Sequence, residues 1–350
     1  MAGNAGPFPW AVSTSPGGDA PSVPEQLAAS GRTAIRLLAE SMATFRQDLA
    51  NIRAGEYREP WDMTTRNRQF SPGFVLRRSA GYVNAAVGTL QRRAAQRPDD
   101  VWLKSELYPD YYLNTWHYQK DGWMSAESAA AYDAQTETLF MGRQDAVQRH
   151  ALLPLKEHFA GREASSLRIL DAACGTGRFL TFVRDNFPGC AVTALDMSPF
   201  YLAEARAIHA EWERVRGGGS VRFLQAPVER IPAPDGHFDA VTNIYMFHEL
   251  PPSARRACAA ELARVLAPGG VLVFMDGTQL GDRPKLDKYT PAFTDFNEPN
   301  WPTHIRMDYG ALFRSVGLVP WRKEQASSSK VLAFRKPEEA PSTAGGNINN

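Results

Sequence analysis

Two carboxylates and two glycines hold the most informative spacing in the sequence. Asp171 closes a short apolar run (Leu167, Ile169, Leu170), and Gly175 and Gly177 follow it. Asp196 closes the next run, Ala191-Val-Thr-Ala-Leu195, nineteen positions after Gly177. The pattern reads as strand, glycine turn and helix start near Arg178, a unit that lets backbone approach a ligand and aims helix amides at it. In an open parallel sheet such a ligand lies beyond the carboxyl ends of the strands. A dinucleotide fingerprint would need a small residue three positions after the second glycine, where this chain has Leu180. Asp171, directly before the turn, would repel a pyrophosphate but accept a hydrogen bond from an ammonium group. The spacing therefore suits a positively charged nucleoside, with Asp196 placed to take both ribose hydroxyls. A side chain at Gly175, as in Gly175→Val, is expected to block the turn.

The elements that must position these residues follow in order. Phe187-Pro-Gly189 turns into the Asp196 strand, and a helix from Pro199 to Val215 ends at Gly217-Gly-Gly219. Val221 to Leu224 reads as a third strand presenting Gln225 and Ala226, and Phe238 to Asn243 as a fourth. Pro251 and Pro252 preset a helix through about Leu266. Phe293 to His304 is an aromatic, proline-containing connection, Tyr309 to Val316 a helix, and Leu318–Trp321 with Val331–Phe334 an antiparallel closing pair.

The first 149 residues read differently. Residues 1–24, with five prolines, read as a disordered head, and 337–350 as a disordered tail. From Glu25 to Tyr57 the pattern is helical, with Ile35, Leu38, Met42, Phe45, Leu49 and Ile52 forming an apolar seam. Docking on the chain's own core is the preferred reading; over residues 35–52 the seam could also pair with a second subunit in a homodimer. A second helix is expected from Phe74 to Gln96, and others from Ser125 and over Ala146 to Phe159. Between them lies an aromatic stretch, Tyr108 to Ser125, and five of the eight tryptophans precede residue 150, so residues 25–149 read as a helical, aromatic-rich substrate or lid region.

Composition narrows the partners. With 39 basic and 38 acidic residues there is no single-sign field to steer nucleic acid. No apolar run reaches the length of a membrane span, so no stable membrane insertion is expected. Cys174, Cys190 and Cys258 form neither a CxxC pair nor an even framework, so no disulfides and no metal site are expected. A reducing, cytoplasmic setting fits, or a plastid if a presequence has been removed.

Asp171-Ala-Ala-Cys-Gly-Thr-Gly177 with Asp196-Met-Ser-Pro199 resembles the first two motifs of the class I S-adenosylmethionine-dependent methyltransferases. Gln225-Ala-Pro-Val-Glu229 resembles the family's adenine loop, Phe238–Asn243 its fourth strand, and Leu266–Phe274 its turn and fifth strand. His117–Ser125 with Glu137–Asp145 also resembles uncharacterised methyltransferase-like proteins of plants, algae and bacteria. The resemblance implies an α/β, Rossmann-like, doubly wound seven-stranded sheet over residues 150–336 with a helical N-terminal extension. It implies S-adenosyl-L-methionine as cofactor, held by Asp171, Ala173, Gly175, Gly177, Asp196, Met197, Gln225, Ala226 and Asn243. It further implies in-line methyl transfer; the aromatic front half and the lack of a basic stripe point to a small, partly apolar acceptor, with Tyr118, Trp123 and Tyr132 as candidate walls of its space or, in the alternative, part of an aromatic core. A general base is an addition to such chemistry; His248, beside Glu249, and His117 are the catalytic candidates, with a structural role the alternative for each. The alternative for the whole chain is a non-catalytic protein that keeps the cofactor pocket and binds a partner through its N-terminal half.

Overall fold

The computed structural model describes residues 4–5, 12–13, 23–63, 87–219 and 221–338. Most of the head expected over 1–24, the part of the second expected helix before residue 87, and all but two residues of the expected tail lie outside the described residues.

Seven strands form one sheet: β1 (Arg168–Ala172), β2 (Ala191–Asp196), β3 (Val221–Gln225), β4 (Phe238–Ile244), β5 (Leu266–Gly277), β6 (Val319–Ala326) and β7 (Ser329–Arg335). Their spatial order is β3-β2-β1-β4-β5-β7-β6. The first five are parallel; β7 runs antiparallel to β5, and β6 antiparallel to β7, as the closing pair was expected to do. The chain reverses its direction of travel across the sheet between β1 and β4, so the carboxyl ends of β1, β2 and β4 surround the crevice where ligands of such sheets bind.

Near-continuous apolar runs make the central strands because both faces are covered. Successive residues enter opposite layers: Ile169, Ala194, Val271 and Val273 pack with Leu152, Leu155 and Phe182, whereas Leu170, Leu195, Leu272 and Phe274 pack with Leu262 and Phe313. Each fully buried side chain of this size contributes about 1.5–3 kcal/mol. The flanking helices of this half are α5 (Arg178–Asn186), α6 (Pro199–Arg216), α7 (Pro252–Val265), α8 (Trp301–His304) and α9 (Tyr309–Ser315).

The N-terminal half wraps this core with α1 (Val23–Arg53), α2 (Ala126–Leu139), α3 (Gln144–Gln148) and α4 (Leu152–His158). Ser125 caps α2 by accepting from the Ser128 amide at 3.1 Å, as its position suggested. The single helix expected over 146–159 is instead α3, a 3₁₀ turn and α4. Of the apolar seam of α1, only Ile52 packs against the core. Ile35 and Leu38 are 69% and 63% exposed, and Met42, Phe45 and Leu49 are exposed too, while Ser41, Thr44, Asp48 and Asn51 face inward. The reason is an ion pair: Asp48 accepts two hydrogen bonds from Arg149, at 2.9 and 2.6 Å, both side chains buried. Tyr57 donates to the same carboxylate at 2.8 Å. These contacts turn the polar face of α1 toward the core.

Candidate active site

The first cavity lies at the carboxyl ends of β1, β2 and β4. The Asp171 carboxylate accepts from Thr242 Oγ1 of β4 at 2.6 Å; burial pushes its pKa up to about 7, against the effect of that bond. Asp196 accepts from the amides of Gly175 and Ser198, both at 2.8 Å, and burial raises it as well. Gly175 and Gly177 have φ of +55° and +73°, the left-handed turn their positions suggested. Ala173 and Tyr245, at φ +62° and +58°, hold the same conformation with side chains present. Such residues cost about 1–3 kcal/mol each and cluster at binding sites.

Of the expected cofactor contacts, Asp171, Ala173, Gly175, Asp196, Met197 and Ala226 line this cavity, and three do not. Gly177 packs under the turn, its carbonyl 3.1 Å from His209 Nε2. Gln225 reaches outward to Tyr108 Oη and the Met197 carbonyl. Asn243 is fully buried and donates to the Ala172 carbonyl at 2.8 Å, tying β4 to β1. No atom lies within 4 Å of a Cβ built at Gly175, so what opposes a side chain there is the left-handed φ of +55°; of the two, the crowded glycine is Gly177, where a Cβ would meet His209 Nε2 at 2.9 Å.

Sequence reasoning missed Gln144 and Gln148. They sit four residues apart on α3, line the cavity, and their Oε1 atoms are buried without a hydrogen-bond partner. Two orphaned acceptors in one cavity with Asp171 fit a ligand carrying ammonium protons; the only signal was a pair of amides at i, i+4. Over the cavity lie stacked rings: Tyr112 is 5.8 Å from Tyr108 and 4.8 Å from Trp123, which stands 5.4 Å from Trp116. The Tyr112 hydroxyl donates to Asp196 at 3.4 Å. The cavity measures about 120 Å³ beneath these rings, whereas sites for drug-sized ligands run from about 300 Å³. Cys174 also lines it, its thiol pushed far up by burial and the nearby Asp196 charge, hence un-ionised.

A second, larger cavity of about 550 Å³ adjoins the first, sharing Tyr132, Gln144, Tyr245 and Glu249 with it. Its walls are partly apolar, including Leu139, Phe140, Leu286, Phe293 and Trp301. Of the three aromatic residues expected to wall an acceptor space, Tyr132 lines both cavities and Trp123 the smaller; Tyr118 lines neither and donates to Gln96 Oε1 at 2.9 Å. Both histidine candidates line the larger one. His248 Nδ1 donates to Asp276 Oδ1 at 2.7 Å, and its Nε2 lies 3.4 Å from Glu249 Oε1. Burial works against the charged imidazole, but the Asp276 carboxylate outweighs it and holds His248 well above its ordinary pKa. Burial raises Glu249 to about 7. His117 Nε2 stands 2.6 Å from the fully buried Glu298.

The chain is similar to known methyltransferases. A family model described as a methyltransferase domain matches residues 169–270. The chain is 36% identical over 154 residues to the demethylmenaquinone methyltransferase of Thermus thermophilus, covering 44% of this chain and 64% of that one. It is 35% identical over 187 residues to a malonyl-[acyl-carrier protein] O-methyltransferase of Paenibacillus sp., covering 52% and 56%. The chain thus spans less than two thirds of the length of these relatives. Among solved structures, the 1,6-didemethyltoxoflavin-N1-methyltransferase of Burkholderia thailandensis aligns with a TM-score of 0.41 at 20% identity over 60% of this chain and 85% of its own. Over residues 169–270 the chain is thus similar to methyltransferase domains.

Proposed function

We propose that the chain transfers a methyl group from S-adenosylmethionine, held in the smaller cavity, to a small, partly apolar molecule in the larger one. The observation that carries this reading is the junction of the two cavities at Tyr132, Gln144, Tyr245 and Glu249. When bound, S-adenosylmethionine supplies a sulfonium methyl as electrophile. Asp171, with the orphaned oxygens of Gln144 and Gln148, takes the ammonium group, and Asp196 the ribose hydroxyls. Met197 and Ala226 offer apolar contact to the base. The ring stack of Tyr112 and Trp123 closes over this site and excludes water. Alignment of two reactants in this way can supply about 7–11 kcal/mol in well-oriented cases. The relatives act on different acceptors by name, a quinone and a carrier-bound malonyl group, so the acceptor class is read from the cavity itself: about 550 Å³ with partly apolar walls.

Calorimetric titration with S-adenosylmethionine and S-adenosylhomocysteine tests the first half of the proposal. Micromolar binding of both is expected, with Asp196→Ala weakening it by a few kcal/mol through loss of charged hydrogen bonds. A folded protein that bound neither, or an unchanged affinity in that variant, would remove the site. Formation of S-adenosylhomocysteine with quinones, phenols and fatty acids tests the second half; binding without turnover across such a panel would favour the non-catalytic alternative.

A further inference from the structure

We propose that His117, Glu249 and Glu298 form a binding site for one divalent first-row transition-metal ion. One ligand atom from each lies within 4.8 Å of the other two. Glu298 is fully buried, and neither of its carboxylate oxygens takes a hydrogen bond; Glu249 Oε2 is buried without one too. Among the described residues each of these carboxylates is ion-paired only with histidine, Glu298 with His117 and Glu249 with His248. Burying carboxylate charge with so few partners is costly, and a bound cation offsets that cost. The contact between His117 Nε2 and Glu298 Oε1 is 2.6 Å but lacks the alignment of a hydrogen bond.

The three residues come from separate segments, and the fold ties those segments together. Asn114 and Asn297 exchange hydrogen bonds, Asn114 Nδ2 to the Asn297 carbonyl at 3.2 Å and Asn297 Nδ2 to Asn114 Oδ1 at 3.2 Å, and Asn297 also donates to the Thr115 carbonyl at 2.8 Å. This clamp sets His117, itself at φ +55°, against Glu298. Asn300 donates to the Glu249 carbonyl at 2.7 Å, and the buried Arg255 bridges the Asn300 and Phe247 carbonyls. The donors are therefore held by backbone-directed bonds, independent of one another's charge.

One imidazole nitrogen with two carboxylates suits zinc, manganese or iron; magnesium and calcium favour oxygen-only sets, and copper(I) needs sulfur. Bonds of about 2.0–2.2 Å set tetrahedral ligand atoms about 3.3–3.6 Å apart, so a pair near the 4.8 Å limit closes by about 1 Å on binding. His117 and Glu249 line the larger cavity, whereas Glu298 lies behind them. The remaining coordination positions thus open toward that cavity, where an acceptor oxygen can complete the shell. That last step rests on the proposed function; the metal site does not.

The test uses the full chain after treatment with a chelator, titrated with Zn²⁺ and Mn²⁺ by calorimetry and with Co²⁺ by visible absorption. One ion per chain is expected, with d–d bands for Co²⁺ and a metal-dependent rise in the thermal midpoint. Glu298→Gln and His117→Ala should each weaken binding tenfold or more and abolish the rise. Circular dichroism checks folding, and the partly exposed His117 keeps the test valid should the Glu298 variant not fold. Absence of saturable one-to-one binding would overturn the proposal and leave the three groups as a proton-sharing cluster; binding undiminished in both variants would place the ion elsewhere and overturn it equally. S-adenosylmethionine titration of the same metal-free sample keeps the two readings apart, since cofactor binding without metal binding removes only this site.

Discussion

Asp171 joins the fold's interior to its ligand through one proton. Its carboxyl, raised to about 7 by burial, is largely protonated in the free protein at pH 6, and a bound ammonium would displace that proton. Affinity for S-adenosylmethionine is therefore expected to fall as pH drops from 7 to 5, approaching tenfold per unit, with the profile flattened in Asp171→Asn. Calorimetry at four or five pH values checks this; a flat wild-type profile would separate Asp171 from the ammonium. Stability follows the opposite course. A carboxyl near 4 when unfolded and about 7 when folded favours the fold fully below about pH 4 and loses that contribution as pH rises through 7. Without ligand at pH 8, Asp171→Asn should thus be more stable than wild type by roughly 1–3 kcal/mol, read from chemical denaturation. A variant less stable than wild type at that pH would show that the carboxylate is better accommodated than its burial implies.

At the scale of elements, the two glycines of the turn separate into different roles. Gly177→Ala combines φ +73° with a Cβ 2.9 Å from His209 Nε2, whereas Gly175→Ala meets no atom within 4 Å and suffers only from φ +55°. The first substitution should cost about 2–4 kcal/mol and the second about 1–2 kcal/mol, ranked by urea midpoints; the reverse order would mean that the ring of His209 yields freely. The glycine spacing showed the turn but not which position was crowded, because His209 approaches from α6, thirty-two residues away. The central strands were legible for a local reason: β1, β2, β4 and β5 carry apolar runs buried on both faces. The orientation of α1 was not, since its seam pattern is local while the Asp48–Arg149 pair spans 101 residues. Asp48→Ala leaves a buried guanidinium unpaired and should cost about 3–5 kcal/mol. A loss under 1 kcal/mol would show that α1 is held by other contacts.

At the scale of the whole molecule, the larger cavity is built from parts that no single stretch of sequence contains. Leu139 and Phe140 come from the end of α2, His248 and Glu249 follow β4, Asp276 ends β5, and Phe293 and Trp301 come from the connection before α9. Motifs pointed to residues of the smaller cavity because β1, β2 and their turns lie close together in sequence. The larger cavity left only residue types, among them His117 and His248, without the neighbours that give them a role: Glu298 lies 181 positions from His117 and drew no attention. A division of labour follows that one substitution can read. Leu139 lines the larger cavity and not the smaller. Leu139→Trp should therefore fill part of the acceptor space, raising KM for any accepted substrate tenfold or more while leaving the Kd for S-adenosylmethionine within twofold. Parallel turnover and calorimetric measurements decide it. Loss of cofactor affinity in the same proportion would mean that the two cavities act as one site, and an unchanged KM would place the acceptor elsewhere.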